Sequence, residues 1–394
     1  MNISDPEQHG FSTSGLKQID QMMVHYLEQK LIAGGVTLVA RQGQVVHFEK
    51  FGLQDIAANT PMALDTIFHI YSMTKPITSV ALMMLYEQGL VQLTDPITKF
   101  IPQFEHVKVF NHPKSLIDLT RNITIQDLLC HTAGLSYGFY EDTPVDDLYR
   151  QADLFLPDIT LQEMVRRIAD LPLVHQPGTG WRYSVATDVI GHLVEIISDM
   201  SLAQFFAEKI LNPLGMVDTA YTISPKKATR MATLYSLNSG NLQPDKSGNE
   251  IIHALTLQAG GHGLLSTATD YLRFAQCMLN QGELDGVRLL SPKTVDLMTK
   301  NQVSPALLPL RYNGVINKSV LGLGFGLGFR VMLDADLAGI SGFKGDYGWG
   351  GMANTVFWID PQKQLVAIAM VQCFADEIHP IKNEFRTLVH QALY

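Results

Sequence analysis

The sequence has few of the features that mark secreted, metal-binding or nucleic-acid-binding proteins. It contains three cysteines in 394 residues, Cys130, Cys277 and Cys373, and none of them belongs to a C-x-x-C pair. We expect all three to be small buried apolar residues. There are 29 basic residues against 38 acidic ones, and no basic cluster with interleaved aromatic residues occurs. The net charge of −9 argues against nucleic acid as a partner.

Long apolar runs are absent as well. None reaches the roughly 18 residues that a membrane-spanning helix needs. The start of the chain, MNISDPEQHGF, lacks the charged and apolar regions of a signal peptide. These absences predict a cytoplasmic protein without a membrane span. With 46% hydrophobic and 17% charged residues, the chain has the composition of a globular protein with one large domain or two lobes.

The hydrophobic pattern divides the chain into sheet-forming ends and a helix-forming middle. Residues 35–52 contain two β-rich runs around RQGQ, which predicts a hairpin. From Ser72 to Leu310 most segments repeat apolar residues every three or four positions, the period of an amphipathic helix. After Leu321 strand patterns return, followed by a closing helix, IHPIKNEFRTLVHQAL. The glycine alternation in LGLGFGLGF does not match G-x-G-x-x-G and predicts a strand with close backbone approach.

The pattern S-x-x-K occurs four times, so it is weak when taken alone. Ser14 precedes a helical run and Ser224 precedes Pro225, contexts that are typical of a helix N-cap. Ser341 opens the glycine-rich SGFKGDYG, which predicts a turn. We assign no chemistry to these three serines.

The fourth match, Ser72 with Lys75, has a different context. The apolar run TIFHIY precedes it and the apolar helical segment SVALMMLYEQGL follows, which predicts a strand-to-helix entry and a partly buried lysine. Positions i and i+3 share a helix face, so the Lys75 ammonium can reach the Ser72 hydroxyl. The helix N-terminus adds positive potential where an oxyanion would develop. Ser72 is therefore either a nucleophile with Lys75 as its base or the polar cap of a helix.

Ser136 is a rival nucleophile, because GLSYG at residues 134–138 fits the G-x-S-x-G elbow of α/β-hydrolases. That elbow needs a strand before it and a helix after it. Here TIQDLLCH has helical spacing and FYEDTPVDD is typical of a loop, so we place Ser72 first. The H-E-x-x-H pattern and paired Cys/His spacings are absent, and we predict neither a metal nor a cofactor.

Five stretches in order carry a resemblance to a known family. They are SMTK at 72–75, LLCHTAGL at 128–135, PGTGWRYS at 177–184, GGHGLLSTATDYLRFAQCMLNQG at 260–282 and GWGG at 348–351. Together they resemble the serine β-lactamase and penicillin-binding protein superfamily. Within it the chain is most similar to the class C β-lactamase-like esterases, the family VIII carboxylesterases, whose relatives include acyltransferases of the lovastatin type.

The resemblance implies roles for four residues. Ser72 would be the nucleophile, Lys75 its base partner and Tyr183 the second proton-transfer group. A tyrosine beside an ammonium can share a proton with it and pass that proton to the leaving alcohol. The backbone N–H groups of Ser72 and Met352 would form the oxyanion hole, a role that requires only main-chain donors.

The third motif, WGGM, is expected on an edge strand facing the nucleophile, where Gly350 and Gly351 would let the substrate approach the backbone. In the resembling β-lactamases a lysine stands in place of Trp349. Their Tyr-x-Asn motif is Tyr183-Ser184-Val185 here. Both departures point away from efficient β-lactam hydrolysis.

A few further residues carry expectations. Tyr137 either lines the acyl pocket, as a tyrosine does in the resembling esterases, or simply packs. His131, His175 and His262 lie beside glycine-rich turns, where a hydrogen-bonded structural imidazole is the usual finding. The stretch TATD, Thr267–Asp270, predicts a capping box.

We therefore predict an α/β fold of the α+β type, with an antiparallel sheet flanked by helices plus a mostly helical insertion, like the serine β-lactamases and penicillin-binding proteins. Residues 1–95 and 312–394 would form the sheet domain and residues 96–311 the helical one. The predicted function is hydrolysis of neutral, short-chain carboxylic esters through an acyl-enzyme on Ser72, with a small-molecule ester as partner and the oligomeric state left open. The alternatives are a β-lactamase, a D-amino-acid peptidase or an acyltransferase with the same site, or a catalytically silent binding protein of this fold.

Overall fold

The computed structural model describes residues 2–111, 115–238, 240–246, 256–311, 319–375 and 380–394. The helices in this part of the chain are α1 (Thr13–Glu28), α2 (Thr74–Glu87), α3 (Ile125–Leu129), α4 (Pro144–Gln151), α5 (Leu161–Ala169), α6 (Ala186–Ser198), α7 (Leu202–Phe206), α8 (Pro225–Ala228), α9 (Ala268–Leu279), α10 (Pro292–Thr299), α11 (Ala335–Ala338) and α12 (Ile381–Gln391). Shorter 3₁₀ turns include Tyr71–Met73.

The strands that belong to small ribbons or to the main sheet are β1 (Gly34–Arg41), β2 (Gln44–Asp55), β3 (Thr60–Pro61), β4 (Phe68–His69), β5 (Val109–Asn111), β6 (Ser115–Ile117), β7 (Tyr235–Asn238), β8 (Asn241–Pro244), β9 (Leu265–Ser266), β10 (Glu283–Leu284), β11 (Val287–Arg288), β12 (Leu310–Arg311), β13 (Ser319–Val320), β14 (Leu323–Phe325), β15 (Arg330–Met332), β16 (Tyr347–Gly350), β17 (Val356–Asp360), β18 (Leu365–Val371) and β19 (Cys373–Phe374).

One antiparallel sheet of eight strands joins early and late segments of the chain. Its order is β14-β15-β16-β17-β18-β1-β2-β3. The junction is the ladder between β1 and β18, in which Gly35 pairs with Val371 and Arg41 with Leu365. The predicted hairpin over residues 35–52 is confirmed as β1 and β2, and the predicted mixed fold with an antiparallel sheet and helices is confirmed. The division into residues 1–95 with 312–394 and residues 96–311 stays a prediction, because its second boundary falls at residues 312–318, outside the described residues.

Helices cover both faces of this sheet, and each face has its own core. On one face α1 and α12 pack against each other and the sheet, around Trp358 and Phe385. On the other face α9 packs on β1, β17 and β18, and the core there includes Leu38 and Phe274. Because β18 is covered on both sides, its sequence LVAIAMV is apolar throughout and every residue is buried.

Helix α2 is buried along nearly its whole length. It packs against α6, and its apolar residues from Ile77 to Leu85 belong to the larger core. Even Lys75, in its first turn, is only 1% exposed. The apolar segment that follows Ser72 therefore forms a buried helix, and Lys75 is buried with it, as predicted.

The segment LGLGFGLGF differs from its prediction as a single strand. It contains the short strand β14 and the reversal that follows, and β15 begins directly after it at Arg330. The close backbone approach is confirmed: a Cβ on Gly326 would lie 2.1 Å from the Met298 carbonyl oxygen. A Cβ on Gly328, which has φ +94°, would likewise lie 2.1 Å from Ser79 Oγ. Glycines here allow a tight reversal against α2 and α10, and periodicity alone does not reveal it.

The other three S-x-x-K serines lie in structural positions, and for Ser14 the exact position differs from the prediction. Ser224 caps α8 and Ser341 lies in a bend. Ser14 is not the N-cap of α1, since that position belongs to Ser12, whose side chain accepts from a backbone N–H. The helix begins two residues earlier than the prediction because Ser12 is the serine with extended backbone, which an N-cap requires.

The predicted capping box at Thr267–Asp270 is half present. Thr267 Oγ1 accepts from the Asp270 N–H at 3.1 Å. The Asp270 carboxylate accepts instead from the Asp218 N–H and the Thr219 hydroxyl. A tertiary contact has therefore replaced the reciprocal bond of the box.

All three cysteines are buried and unpaired, as predicted. Among the described residues no single helix has the length and apolar composition to cross a membrane. One pair, Ala186–Ser198 with Leu202–Leu211, meets that criterion only when its two parts are taken together across a bend of 79°.

Candidate active site

The structure places Ser72 at the entry to α2, in the 3₁₀ turn Tyr71–Met73 that follows β4. The preceding residue, Tyr71, has φ +45°, a left-handed conformation that is costly for a bulky side chain. Its ring is held by His69 and Phe374, with centroids 5.8 and 5.5 Å away. Packing therefore fixes a strained turn that presents Ser72.

Two side chains converge on the Ser72 hydroxyl. Lys75 Nζ donates to Ser72 Oγ at 3.2 Å, and the Tyr183 hydroxyl donates to the same atom at 2.7 Å. These are the three side chains that the motifs SMTK and PGTGWRYS singled out. A hydroxyl, an amine and a phenol at such distances can exchange a proton directly.

Lys75 has no carboxylate bonded to it within the described residues. Its ammonium donates to the Gly261 carbonyl oxygen at 2.6 Å. It also lies 5.1 Å from the ring centre of Tyr137 and 4.7 Å from that of Tyr183, a distance at which aromatic faces attract cations. The charge is thus held by a carbonyl, a hydroxyl and two rings.

Tyr137 is buried between the lysine and an aromatic rim. It is 7% exposed, and burial together with the nearby Asp188 carboxylate raises the pKa of its phenol well above the usual value. Phe139 stacks on its outer face at 4.7 Å and is 59% exposed. Phe155 approaches at 6.1 Å. Tyr137 therefore packs against the cluster of Ser72, Lys75 and Tyr183 and also joins an apolar surface that opens to solvent.

Tyr183 is fixed from several sides. Its backbone carbonyl accepts from the Tyr140 hydroxyl at 2.8 Å. Its ring lies 4.9 Å from the His131 ring and 5.3 Å from the Trp349 ring. Such contacts restrict the phenol to one orientation, and its hydroxyl then meets Ser72.

The segment containing Trp349, Gly350 and Gly351 packs against the Ser72 turn. A Cβ on Gly351 would lie 2.6 Å from the Ile70 carbonyl oxygen and 2.2 Å from Thr355 Oγ1, so only glycine fits there. The prediction of an edge strand is wrong, because β14 and β15 lie beyond β16. The ladder with β15 nevertheless ends at Gly348, so among the described residues the part of β16 nearest Ser72 has no strand on that side.

The N–H groups of Ser72 and Met352, which were expected to form an oxyanion hole, donate to no acceptor in the described portion of the chain. The Met352 side chain is 59% exposed, which fits a role for its backbone alone. The peptide that carries its N–H is anchored at the other end, because Lys382 Nζ donates to the Gly351 carbonyl oxygen at 2.7 Å.

Sequence reasoning missed two residues that organise the site, Asp188 and Gly261. Asp188 is fully buried on α6, and its Oδ1 accepts from the Gly261 N–H at 2.8 Å. A Cβ on Gly261 would lie 2.6 Å from Asp188 Oδ2 and 2.8 Å from the Tyr137 hydroxyl. Asp188 therefore positions the loop whose carbonyl holds Lys75. The available signal was a carboxylate in the apolar segment ATDVIGH, five residues after Tyr183.

Ser136 has a structural environment. It is fully buried; its hydroxyl donates to Asp146 Oδ1 at 2.6 Å and accepts from Arg182 Nε at 3.0 Å. Helix α3 precedes it and no helix follows until α4, so the strand-turn-helix geometry of a nucleophile elbow is absent from this stretch. The alternative assignment of Ser136 as an elbow nucleophile is wrong.

Of the three histidines expected to be hydrogen-bonded structural residues, His131 and His175 are hydrogen-bonded. His131 Nδ1 accepts from the Ser184 N–H at 3.3 Å, and burial beside Lys75 holds the pKa of His131 well below its usual range. His175 Nδ1 lies 2.9 Å from the Gln176 carbonyl oxygen. His262 Nδ1 is 3.8 Å from Asp188, too far for a hydrogen bond, and burial lowers its pKa.

Comparison with known proteins identifies relatives along nearly the whole chain. The family model named Beta-lactamase matches residues 19–391. An uncharacterized protein of Mycobacterium tuberculosis is 37% identical over 352 residues, which cover 87% of this chain and 86% of that protein. Esterase EstB of Burkholderia gladioli is 28% identical over 380 residues, covering 90% of each. The solved structure of EstCE1, described as a hydrolase with promiscuous acyltransferase activity, matches with a TM-score of 0.82 at 25% identity, covering 96% of this chain and 99% of EstCE1.

Two buried serines provide a matched test of the role given to Ser136. Ser136→Ala removes a hydroxyl that bonds to Asp146 and Arg182, and we expect it to lower the free energy of unfolding by about 1–3 kcal/mol. Ser79→Ala removes a buried hydroxyl that has no hydrogen-bond partner among the described residues, so it should change stability by less than about 0.5 kcal/mol or increase it. Urea denaturation of both variants measures the difference. Equal losses would contradict the structural role of Ser136.

Proposed function

The chain belongs to the Beta-lactamase family, which here means a serine hydrolase fold with esterase and acyltransferase relatives, and we propose that it is a carboxylesterase acting through an acyl-enzyme on Ser72. The observation that carries this proposal is the convergence of Lys75 and Tyr183 on one serine hydroxyl, at 3.2 and 2.7 Å. The silent-binding alternative is disfavoured by the same geometry, because a protein without catalysis has no need of a buried ammonium beside a serine.

The reactive form of the Lys75 and Tyr183 pair holds one proton fewer than an ammonium and a phenol together, as ammonium with phenolate or as amine with phenol. In the proposed reaction Ser72 Oγ attacks the ester carbonyl carbon while its proton passes to this pair. The carbonyl oxygen becomes an oxyanion, for which the free N–H groups of Ser72 and Met352 are the available donors. Collapse of this intermediate expels the alcohol, which takes the proton from Tyr183. Water then attacks the acyl-enzyme by the same route, releasing the carboxylic acid and restoring Ser72.

The surfaces around the hydroxyl support neutral substrates. Trp349 packs against Tyr183 and Phe325, with ring centres 5.3 Å from each, and presents an apolar side where the resembling β-lactamases have a cation. Phe139 and Phe155 extend this apolar lining toward solvent. A carboxylate on the substrate would be left without a partner at Trp349, which costs binding energy.

Transfer of the acyl group to an alcohol other than water is a second candidate activity. EstCE1, whose match covers 96% of this chain, is described as a hydrolase with promiscuous acyltransferase activity. The exposed rings of Phe139 and Phe155 offer an apolar acceptor alcohol a place to bind beside the acyl-enzyme. An excess of such an alcohol would then yield a new ester in competition with hydrolysis.

The first test concerns the shared proton. We expect Lys75→Ala and Tyr183→Phe each to lower kcat for p-nitrophenyl butyrate by roughly 10² or more, because each removes one of the two groups that handle the Ser72 proton. The double variant should lose far less than the product of the single losses, since groups that act as a unit are non-additive. Full additivity in steady-state kinetics would contradict the shared role.

The second test concerns substrate class. We expect kcat/KM for p-nitrophenyl acetate or butyrate to exceed that for nitrocefin by at least about 10², once the intrinsic reactivity of the ester is taken into account. Such a ratio needs only about 1.4 kcal/mol of differential transition-state binding per tenfold. Ser72→Ala serves as the catalytic blank. If nitrocefin equals the esters, the β-lactamase alternative replaces the esterase proposal.

A further inference from the structure

A cavity of about 230 Å³ lies behind the Trp349 strand. Trp349 and Gly350 of β16, Val356 of β17 and Lys382 of α12 are among the residues that line it. Successive residues of a strand face opposite sides, so Gly350 faces away from the side on which the Trp349 ring meets the site. Lys382 Nζ lies 3.7 Å from where a Cβ of Gly350 would be. The cavity therefore belongs to the α12 face of the sheet and is distinct from the Ser72 cleft.

The sequence leaves this cavity open for two reasons. Gly350 has no side chain to fill it, and the β15 ladder stops at Gly348, so no strand in the described part of the chain pairs with the end of β16 on that side. The first turn of α12, which contains Lys382, lies on the opposite side of the cavity. An opening bounded by backbone and a lysine is accessible to a small ligand.

Three basic side chains line the cavity: Arg330, Lys382 and Arg386. The fully buried Asp346 forms ion pairs with both arginines. Lys382 forms no ion pair within the described part of the chain and donates to the Gly351 carbonyl oxygen instead. Burial lowers the pKa of Lys382 to about 8, which is the behaviour of an ammonium that lacks a neighbouring anion. Asp360, also fully buried, acts electrostatically on Arg386 as well, so three cationic side chains face two carboxylates and one positive charge is left unbalanced.

Unused hydrogen-bond donors accompany this charge. Arg330 Nε is buried and meets no acceptor among the described residues. Buried donors are nearly always bonded, so such an atom marks a place where a partner is missing. Lys382 has three donor protons, and one of them is engaged by Gly351. A carboxylate has enough lone pairs to accept from both side chains.

The remaining walls are apolar. Trp349, Val356 and Trp358 line the cavity, and the Arg386 guanidinium lies 4.8 Å from the ring centre of Trp358. The volume of about 230 Å³ corresponds to roughly eight waters at ~30 Å³ each. The space thus suits a molecule with one anionic group and a short aliphatic body.

We propose that this cavity binds a small aliphatic carboxylate, with its carboxylate group on Lys382 and Arg330 and its chain against Val356 and the Trp358 indole ring. A ligand in this cavity would also affect the Ser72 cleft on the other side of the strand. The Gly351 carbonyl that Lys382 holds and the Met352 N–H belong to one peptide group, so a ligand on Lys382 acts on the proposed oxyanion donor. Only this last consequence rests on the proposed function.

Binding can be measured without turnover. Two of the three tryptophans, Trp349 and Trp358, line the cavity, so intrinsic fluorescence reports on its occupancy. We expect sodium butyrate at neutral pH, compared with sodium chloride at equal ionic strength, to give a saturable fluorescence change, confirmed by calorimetry. The neutral isostere butyramide should give none, because it cannot pair with Lys382.

Four variants locate the site. Lys382→Met should weaken butyrate binding roughly tenfold or more, whereas Lys382→Arg, which keeps the charge, should retain it. Val356→Phe fills the cavity without altering any charge and should also abolish binding. The exposed Lys293 provides the control, and Lys293→Met should bind as the wild type does.

The outcomes separate this proposal from the esterase proposal. A non-saturable response of the wild type, or equal binding of butyrate and butyramide, overturns it. Butyrate binding that persists in both Lys382→Met and Val356→Phe would place the ligand in the Ser72 cleft and overturn it as well. If Lys382→Met does not fold, Val356→Phe and the butyramide comparison still decide. A protein that binds butyrate here but hydrolyses no ester contradicts only the proposed function.

Discussion

The burial of one ammonium, that of Lys75, is the constraint on which the rest of the site depends. Removing a charge from water costs several kcal/mol unless nearby groups replace the lost hydration. In this protein the Gly261 carbonyl, the Ser72 hydroxyl and the faces of Tyr137 and Tyr183 replace it. Each comes from a different part of the chain, so the lysine is stable in its position only after the whole fold has assembled. The same contacts that stabilise the charge place it beside the Ser72 hydroxyl.

Glycines allow these distant segments to approach closely enough. A Cβ on Gly260 would lie 2.3 Å from the Thr187 carbonyl oxygen of α6, and this contact brings the adjacent Gly261 to Asp188. Gly351 plays the corresponding part on the sheet side, where it packs on the Ile70 carbonyl. The cleft is therefore bounded by backbone on two sides, and side chains enter it only where they contribute a donor, an acceptor or an apolar surface.

Features that depend on residues close together in the sequence could be predicted from the sequence. Motif spacing and its local context singled out Ser72 and Lys75, and hydrophobic patterns located the hairpin β1-β2 and the apolar helix α2, whereas Tyr183 came only from the family resemblance. The sequence was insufficient where long-range contacts override local preference. The Asp270 side chain leaves its capping box for a tertiary partner, and β16 becomes internal because a glycine-rich reversal adds two strands beyond it.

Asp188 and Lys382, which sequence reasoning did not single out, share one property: each side chain binds a backbone group far away in the chain. Asp188 holds the Gly261 N–H, and Lys382 holds the Gly351 carbonyl. Neither belongs to a motif whose spacing carries its role, since the partner is a main-chain atom of any residue type. Only the folded chain shows that an aspartate in an apolar helix and a lysine in the last helix support the two sides of one cleft.

The central claim is that Ser72 carries the acyl group, and rapid acid quenching followed by mass spectrometry tests it most directly. During turnover of p-nitrophenyl butyrate we predict a fraction of the protein heavier by one butyryl group. Proteolytic mapping should assign that group to the peptide containing Ser72, and the Ser72→Ala variant should show none. A butyryl group on Ser136 or on any other residue, or turnover in Ser72→Ala at the wild-type rate, would contradict the account.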